Sequence, residues 1–321
     1  MLRWRLLSSA IVLTVLLSLA YLDFQRALVG VAGTWLLPAY LLVALLAARE
    51  TLNLASLREF RPVRWPVYLG TCALALAPCL PIFCGWVNGA YHLTSGAATT
   101  AEYIDNAFWN DREWQFGLFL AALTFSALLV FLAEMRRYRQ PGTASVNVAL
   151  SLMCLVYIGV LWGFIPLLRR FHDNGWGMMA LVSTILIVKT CDAGAYFSGR
   201  FLGRHKMSPI LSPKKTIEGA IGGLVVACLS CGLFFYFAGP TLVGSGFQMP
   251  TLPRWLGYTL AVAAAGMFGD LAESLLKRDM GSKDAGNQLP GLGGVLDVID
   301  SVLFAAPVAY LCWVLGLVGP G

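Results

Sequence analysis

The chain has 321 residues, of which 58% are hydrophobic and only 12% are charged, and its mean hydropathy is +0.71. A soluble domain usually carries about a quarter charged residues, so this composition excludes an ordinary soluble globular protein and predicts an all-α polytopic integral membrane protein. The net charge of +6 does not require a nucleic-acid partner, because positively charged cytoplasmic loops beside an anionic leaflet explain most of it.

Apolar stretches whose length is close to that of a membrane span, roughly 17–25 residues, occur about nine times along the chain. They lie near residues 6–22, 29–48, 67–87, 116–133, 144–168, 177–188, 219–238, 256–269 and 299–318. The sixth and eighth are short and run directly into polar motifs, so we expect them to line a cavity. If the N-terminus is cytoplasmic, most of the 23 Lys and Arg residues lie in cytoplasmic loops. This bias predicts that the polar motifs of the C-terminal half face the cytoplasm.

The distribution of acidic residues divides the chain into two functional regions. Residues 1–175 are predicted to form a transmembrane scaffold, since their spans hold no acidic residue deep inside. Two basic groups in this region, at 58–64 and 135–139, are typical of topology determinants, and contact with anionic lipid headgroups is the alternative. Eight of the 17 acidic residues lie between Asp192 and Asp300. Residues 176–321 are therefore predicted to form the catalytic region of one continuous membrane domain.

Two polar segments follow the sixth span. The first, DAGAYFSGR, begins at Asp192, and the second, SPKKTIEG, begins at Ser212. Adjacent Lys214 and Lys215, beside a proline turn at a helix start, can neutralise several phosphate oxygens. Alone, the two lysines are equally typical of a positive-inside signal. Together with Asp192 and the later motifs they favour a polyphosphate site.

The next motif places polar residues on one face of a helix. Asp270, Glu273, Ser274 and Lys277 are spaced i, i+3, i+4 and i+7. They follow the small-residue run AVAAAGMFG, which allows close helix packing. A carboxylate at such a place is costly unless it binds a cation. An Asp–Lys ion pair at a helix end is the alternative.

The last motifs are rich in glycine. The segment GSKDAGN at 281–287 forms a polar turn in which backbone N–H groups and Lys283 can approach an anion. The segment LPGLGGVLDVID then places Asp297 and Asp300 in the first turn of the final helix. Helix capping explains one of these acids but not the whole pattern. The combination is typical of a site that holds phosphate and a divalent metal.

From Lys189 to Ser301 the chain resembles the phosphatidate cytidylyltransferase, or CDP-diacylglycerol synthase, family. The family signature runs Ser-x-x-Lys-Arg, four residues, Lys-Asp, Pro-Gly-His-Gly-Gly and Asp-Arg-x-Asp. The blocks SPKKTxEG and DxxAYxxGR match the family as well. The matching signature positions are Ser274, Lys277, Arg278, Lys283, Asp284, Pro290, Gly291, Gly293, Gly294, Asp297 and Asp300.

The resemblance implies that CTP and phosphatidate react to CDP-diacylglycerol and pyrophosphate in phospholipid synthesis. It implies Mg²⁺ on Asp270 and Asp297, with Asp192 and Asp284 as partners of these ligands or as holders of a further cation such as K⁺. Further implied roles are catalytic for Lys277 and Lys283, and phosphate-binding for Ser212, Lys214, Lys215, Arg278 and Asn287. The expected protein is multi-pass, in a bacterial inner membrane, with its active site facing the cytoplasm. Membrane lipids are expected partners and nucleic acid is not. A homodimer is compatible with the resemblance.

Two positions depart from the signature. Leu292 stands where the family usually has His, and Val298 stands where it usually has Arg. Because the other charged positions are kept, we expect the missing groups to be dispensable or replaced. The alternatives are a CTP-dependent enzyme that acts on another lipid phosphate, an inactive homologue, or a transporter. Transporters often show inverted repeats, and none is recognisable in this sequence.

Overall fold

The computed structural model describes residues 2–25, 32–58, 60–80, 112–139, 141–282, 285–286 and 293–320. Within them the chain forms ten α-helices and one short hairpin. The helices are α1 (Leu2–Gln25), α2 (Leu37–Ser56), α3 (Arg64–Leu76), α4 (Arg112–Arg137), α5 (Ala144–Cys154), α6 (Leu161–Arg169), α7 (Asn174–Leu202), α8 (Ile217–Val243), α9 (Leu252–Asp279) and α10 (Val295–Val314). A π-helical turn, Leu155–Val160, joins α5 to α6.

Seven helical segments of the described chain are long and apolar enough to cross a membrane, which confirms the predicted all-α multi-pass class. They are Leu37–Ser56, Phe116–Arg137, Ala144–Arg169, Asn174–Leu202, Ile217–Gly246, Leu252–Asp279 and Val295–Val314. The count of nine spans stays a prediction. The predicted lengths of the sixth and eighth spans are wrong, because α7 has 29 residues and α9 has 28. Both helices continue through their polar motifs, since the backbone bonds of a helix are satisfied whatever side chains it carries.

The chain divides into two compact units, one formed mainly by residues up to Pro166 and the other by residues from Leu167 onwards. In the first unit, α2, α3, α4 and α5 pack together. Gly70 of α3 permits a close approach there, since a Cβ built on it would lie 2.6 Å from the Leu155 side chain and 2.7 Å from Ser126. The division of function at residue 175 stays a prediction.

In the second unit, α7 and α8 pack through small residues. A Cβ on Gly223 of α8 would lie 2.7 Å from the carbonyl oxygen of Cys191, and one on Gly219 would lie 2.9 Å from that of Ala195. Such small residues let helix backbones approach closely in a membrane. Thr216 begins α8 by accepting a 3.1 Å hydrogen bond from the Gly219 N–H, a favoured N-cap arrangement.

The hairpin between α7 and α8 consists of β1 (Lys206–Ser208) and β2 (Ser212–Thr216), paired antiparallel. Its pairing joins Lys206 to Thr216 and Ser208 to Ser212. The pair Lys214 and Lys215 therefore lies on a strand. The expected helix start comes directly after it, at Ile217.

A buried tyrosine joins three helices of the same unit. The Tyr258 hydroxyl of α9 lies 2.8 Å from the Ser183 hydroxyl of α7, and the indole N–H of Trp313 of α10 donates to it over 3.3 Å. Buried polar groups are stable when they are hydrogen-bonded in this way. These hydrogen bonds of Tyr258 thus hold together α7, α9 and α10, three of the helices that carry the predicted site.

Candidate active site

The second unit contains a cavity of about 540 Å³. The residues that line it come from α7, the hairpin, α8, α9 and α10. Its charged lining residues are Lys189, Asp192, Arg200, Lys214, Lys215, Asp270, Glu273, Lys277, Asp297 and Asp300. The cavity therefore gathers most of the polar motifs that are scattered along the sequence.

Three carboxylates converge at this cavity. Asp270 and Glu273 of α9 and Asp300 of α10 each offer an oxygen, and these oxygens all lie within 4.8 Å of one another. The i, i+3 spacing brings the two α9 acids to one helix face. The third acid comes close because α10 packs against Gly269, where a Cβ would lie only 2.5 Å from the Asp300 carbonyl oxygen. Side chains larger than hydrogen at position 269 would push the two helices apart.

This group of carboxylates has the chemistry of a divalent-cation site. Hard cations such as Mg²⁺ prefer carboxylate oxygens. Glu273 is only 1% exposed, and its Oε1 accepts no hydrogen bond from any residue that the structure describes. A buried acceptor without a partner is costly, and a cation held with Asp270 and Asp300 would satisfy it. The donor set therefore fits Mg²⁺.

Lys277 connects this group to the start of α10. Its Nζ lies 2.6 Å from Glu273 Oε2 and 2.7 Å from Asp297 Oδ1. Asp297 also accepts a 2.7 Å hydrogen bond from the Gly294 N–H and a weaker one from the Ala285 N–H, over 3.3 Å. Asp297 lines the cavity, but in this structure its carboxylate binds a lysine and caps a helix.

The hairpin brings a cation to the carboxylates. Lys215 Nζ lies 2.7 Å from Asp270 Oδ2, and Lys214 lines the same cavity. On α7, Lys189 Nζ donates a 2.8 Å hydrogen bond to the Val298 carbonyl oxygen and lies 3.8 Å from Asp192 Oδ2. Lysine groups held beside carboxylates can bind phosphate oxygens when a metal occupies the acids.

The predicted site residues have different fates. Asp192, Lys214, Lys215, Asp270, Lys277 and Asp297 all line the cavity. Ser212 and Arg278 are not among its described lining residues, and Arg278 donates a long 3.4 Å hydrogen bond to the Ser282 carbonyl oxygen. Lys283, Asp284, Asn287 and Leu292 lie outside the described residues.

Four charged residues of the cavity were not predicted as site residues. Glu273 and Asp300 complete the carboxylate group, and Lys189 and Arg200 add cations. Glu273 had a signal in the sequence, because it shares a helix face with Asp270 and Lys277. Lys189 had only a weak signal in the sequence, because it is a single cation at the end of an apolar run.

Comparison with known proteins places the chain in a family. The sequence profile of the Cytidylyltransferase family matches residues 5–315. A phosphatidate cytidylyltransferase of Haemophilus influenzae is 41% identical over 136 residues, which are 42% of this chain and 46% of that protein. Phosphatidate cytidylyltransferases of Staphylococcus aureus (strain COL) and Staphylococcus saprophyticus are each 35% identical over 191 residues, which are 59% of this chain and 66% of each relative. The aligned part spans about half to two thirds of these relatives. The profile match covers nearly the whole chain, and the chain belongs to the Cytidylyltransferase family.

Proposed function

We propose that this protein transfers the cytidylyl group of CTP to phosphatidate and forms CDP-diacylglycerol and pyrophosphate. The observation that carries the proposal is the juxtaposition of lysines from the hairpin with carboxylates from two helices in one cavity. Both substrates are anions, so the enzyme must screen their repulsion, align them and stabilise the departing pyrophosphate. The relatives described above are phosphatidate cytidylyltransferases by name, which supports the proposal.

In the proposed reaction an oxygen of the lipid phosphate attacks the α-phosphorus of CTP. The bond from the α-phosphorus to the bridging oxygen breaks, and pyrophosphate leaves with that electron pair. No general base is required, because a phosphate monoester is already ionised near neutral pH. The chain's task is therefore to position charge rather than to move protons.

Asp270, Glu273 and Asp300 are the proposed holders of Mg²⁺, which when bound polarises a phosphate and offsets its charge. Lys214 and Lys215 reach the cavity from an exposed hairpin, so they are placed to bind phosphate oxygens of the incoming substrates. Asp192, on the neighbouring helix, is the proposed partner of a further cation such as K⁺.

Lys277 has a different role in this proposal. Its two short contacts orient Glu273 and Asp297 toward each other across the space between α9 and α10. It therefore positions a metal-binding carboxylate and fixes the start of α10. Its ammonium group also keeps the acid cluster from becoming strongly repulsive.

We also propose that the cavity opens to the cytoplasm of a bacterial cell and that the protein lies in the inner membrane, in agreement with its charge bias. Ile210, at the hairpin tip, is 89% exposed, so an Ile210→Cys variant offers a reporter. A membrane-impermeant maleimide should label it in inside-out vesicles but not in right-side-out ones, with the unsubstituted protein as the background control. Labelling in right-side-out vesicles alone would contradict this orientation. Whether the protein forms a homodimer can be measured from the mass of the detergent-solubilised protein.

The reaction is tested with purified full-length protein, Mg²⁺ and CTP labelled at the α-phosphate. We expect labelled CDP-diacylglycerol with phosphatidate, an equal amount of pyrophosphate, and no product after chelation of the metal. Diacylglycerol, which lacks the attacking phosphate, is the matched control substrate. Product with a polyprenyl phosphate but none with phosphatidate would contradict the proposed acceptor. A folded protein with no activity on any lipid phosphate would contradict the proposed reaction.

A further inference from the structure

The first unit contains a second polar feature that the proposed reaction does not use. It is a cavity of about 390 Å³ that lies between the end of α2, the start of α3 and the end of α4. Three arginines line it, together with a mainly apolar wall. The residues used below are Arg61, Arg64, Arg137, Leu52, Phe60 and Val63. This volume falls in the range of small-ligand pockets, about 300–1,000 Å³.

A hydrogen-bond network with a buried Asn147–Glu134 pair at its centre lies beside this cavity. Asn147 of α5 is 3% exposed and donates a 3.0 Å hydrogen bond to Glu134 Oε1 of α4. Its side-chain oxygen accepts a 3.1 Å hydrogen bond from the Arg61 N–H. Arg137 contacts Glu134 over 3.4 Å and donates to the Arg61 carbonyl oxygen. The backbone of Arg61 is thus hydrogen-bonded through both its N–H and its carbonyl group, so its side chain extends from a fixed backbone position.

The charges around the cavity are poorly balanced. Its described lining residues include no acid, and among the described residues only Glu134 pairs with one of the three arginines, Arg137. The side chains of Arg61 and Arg64 form no ion pair with any residue that the structure describes. Gathering cations raises their mutual repulsion, and a bound anion would offset it. Guanidinium groups suit phosphate best, because their planar N–H donors match its oxygens two at a time.

The surroundings indicate what carries that phosphate. The cavity lies at the ends of two candidate spans, Leu37–Ser56 and Phe116–Arg137. Its wall includes the apolar side chains of Leu52, Phe60 and Val63. Nearby Trp65 is 49% exposed, and tryptophan is enriched where a membrane meets water. A free phosphate needs no apolar wall, whereas the glycerol and first acyl carbons of a lipid do.

We propose that this arginine cavity binds the phosphate of an anionic phospholipid, as a site distinct from the cavity of the second unit that holds the carboxylates. A topology signal needs only positive charge, and it requires neither a cavity nor a hydrogen-bond network that fixes the backbone of one arginine. The proposal does not depend on the proposed reaction, because binding is measured without CTP.

The test measures binding of soluble dioctanoyl phosphatidylglycerol to the purified full-length protein by native mass spectrometry. Dioctanoylglycerol, which lacks the phosphate, is the control ligand. The test variant is the double substitution Arg61→Gln with Arg64→Gln. Arg139→Gln is the matched control, since Arg139 is an exposed arginine near the end of α4 that does not line the cavity. The melting temperature and the size-exclusion profile of each variant report its folding.

We expect the double glutamine variant to bind the anionic lipid at least about tenfold more weakly, because it loses charge-assisted hydrogen bonds. Arg139→Gln should bind like the unsubstituted protein. The double lysine variant, Arg61→Lys with Arg64→Lys, keeps the charge but loses the planar fork, so its affinity should be intermediate. It also carries the test if the glutamine variant does not fold. Unchanged lipid binding in a folded glutamine or lysine pair would overturn the proposal.

Competition distinguishes the two sources of phosphate. We expect inorganic phosphate to leave the bound lipid in place, because it cannot replace the contacts of the apolar wall. The contrary result is that inorganic phosphate displaces the lipid at a similar concentration from the unsubstituted protein but not from the Arg61→Gln and Arg64→Gln variant. That result would assign the cavity to a free anion and overturn the lipid assignment.

Discussion

Replacing Glu273 by glutamine removes one negative charge from the cavity of the second unit and keeps the size of the side chain. The contact with Lys277 can persist, because an amide oxygen still accepts a hydrogen bond, and Lys277 retains Asp297 as a charged partner. The main loss falls on Oε1, the buried oxygen that has no hydrogen-bond partner among the described residues. The substitution therefore separates metal binding from the packing of α9.

The size of the effect follows from the carboxylate group. Glu273 is one of three acids whose oxygens lie within 4.8 Å of one another, so the variant leaves two anionic donors for the cation. Removing a single group that only orients a metal ligand typically costs about 10–100-fold in metal affinity. Loss of a ligand itself should cost at least as much. We expect at least about a 100-fold fall in turnover at a fixed low Mg²⁺ concentration, similar to the loss of a strong transition-state contact.

The assay is a Mg²⁺ titration of CDP-diacylglycerol formation, read beside the melting temperature of each protein. Glu273→Gln should need at least about tenfold more Mg²⁺ for half-maximal activity, while its melting temperature changes little. Asp279→Asn is the control, because Asp279 lies on the same helix, is exposed and does not line the cavity. A Glu273→Gln protein with the Mg²⁺ curve of the unsubstituted protein would refute the assignment of Glu273 as a metal ligand.

Three more variants test the same site. Asp297→Asn should lower turnover by about 100-fold or more. Unlike Glu273→Gln, it should also lower the melting temperature, because Lys277 and the first turn of α10 lose a charged partner. An unchanged turnover in steady-state assays would contradict this. Lys215→Gln should raise the KM for CTP or phosphatidate, whereas Arg139→Gln should leave both KM values unchanged. Equal effects of the two substitutions would show that Lys215 acts only as a topology charge. Gly269→Val should separate α9 from α10 and abolish Mg²⁺-dependent activity, and wild-type turnover in that variant would contradict the close approach.

The sequence was sufficient to predict the class of protein and the polar face of α9. A low charge content leaves few alternatives to a membrane protein, and i, i+3 and i+4 spacing fixes which side chains share a helix face. The spans were less predictable. Hydropathy marks where apolar residues end, but α7 and α9 continue beyond that point because their polar residues line a cavity. The strand at Ser212–Thr216 was not predicted, since a proline and two lysines are typical of a turn.

The choice between Asp297 and Asp300 shows a different limit. The i, i+3 spacing alone makes the two acids equivalent candidates. The prediction that both lie in the first turn of α10 is wrong for Asp300, because the helix begins at Val295 and only Asp297 lies in its first turn. Which of them meets Asp270 depends on how α10 packs against Gly269, a contact between distant parts of the sequence. In the structure Asp300 joins the carboxylate group and Asp297 pairs with Lys277. Local sequence patterns carry no information about such rotations of one helix against another.

The departure at Val298 illustrates why a signature position can change. In the proposed reaction two anions meet in the cavity, which requires positive charge there but does not require that one particular helix supply it. Lys189 of α7 donates a 2.8 Å hydrogen bond to the Val298 carbonyl oxygen of α10 and lines the cavity of the second unit. A cation therefore stands beside the position where the resemblance leads one to expect arginine, and it comes from the facing helix. This geometry favours replacement of the missing guanidinium over a decayed site, because a decayed site has no reason to keep a costly lysine on a membrane-spanning helix.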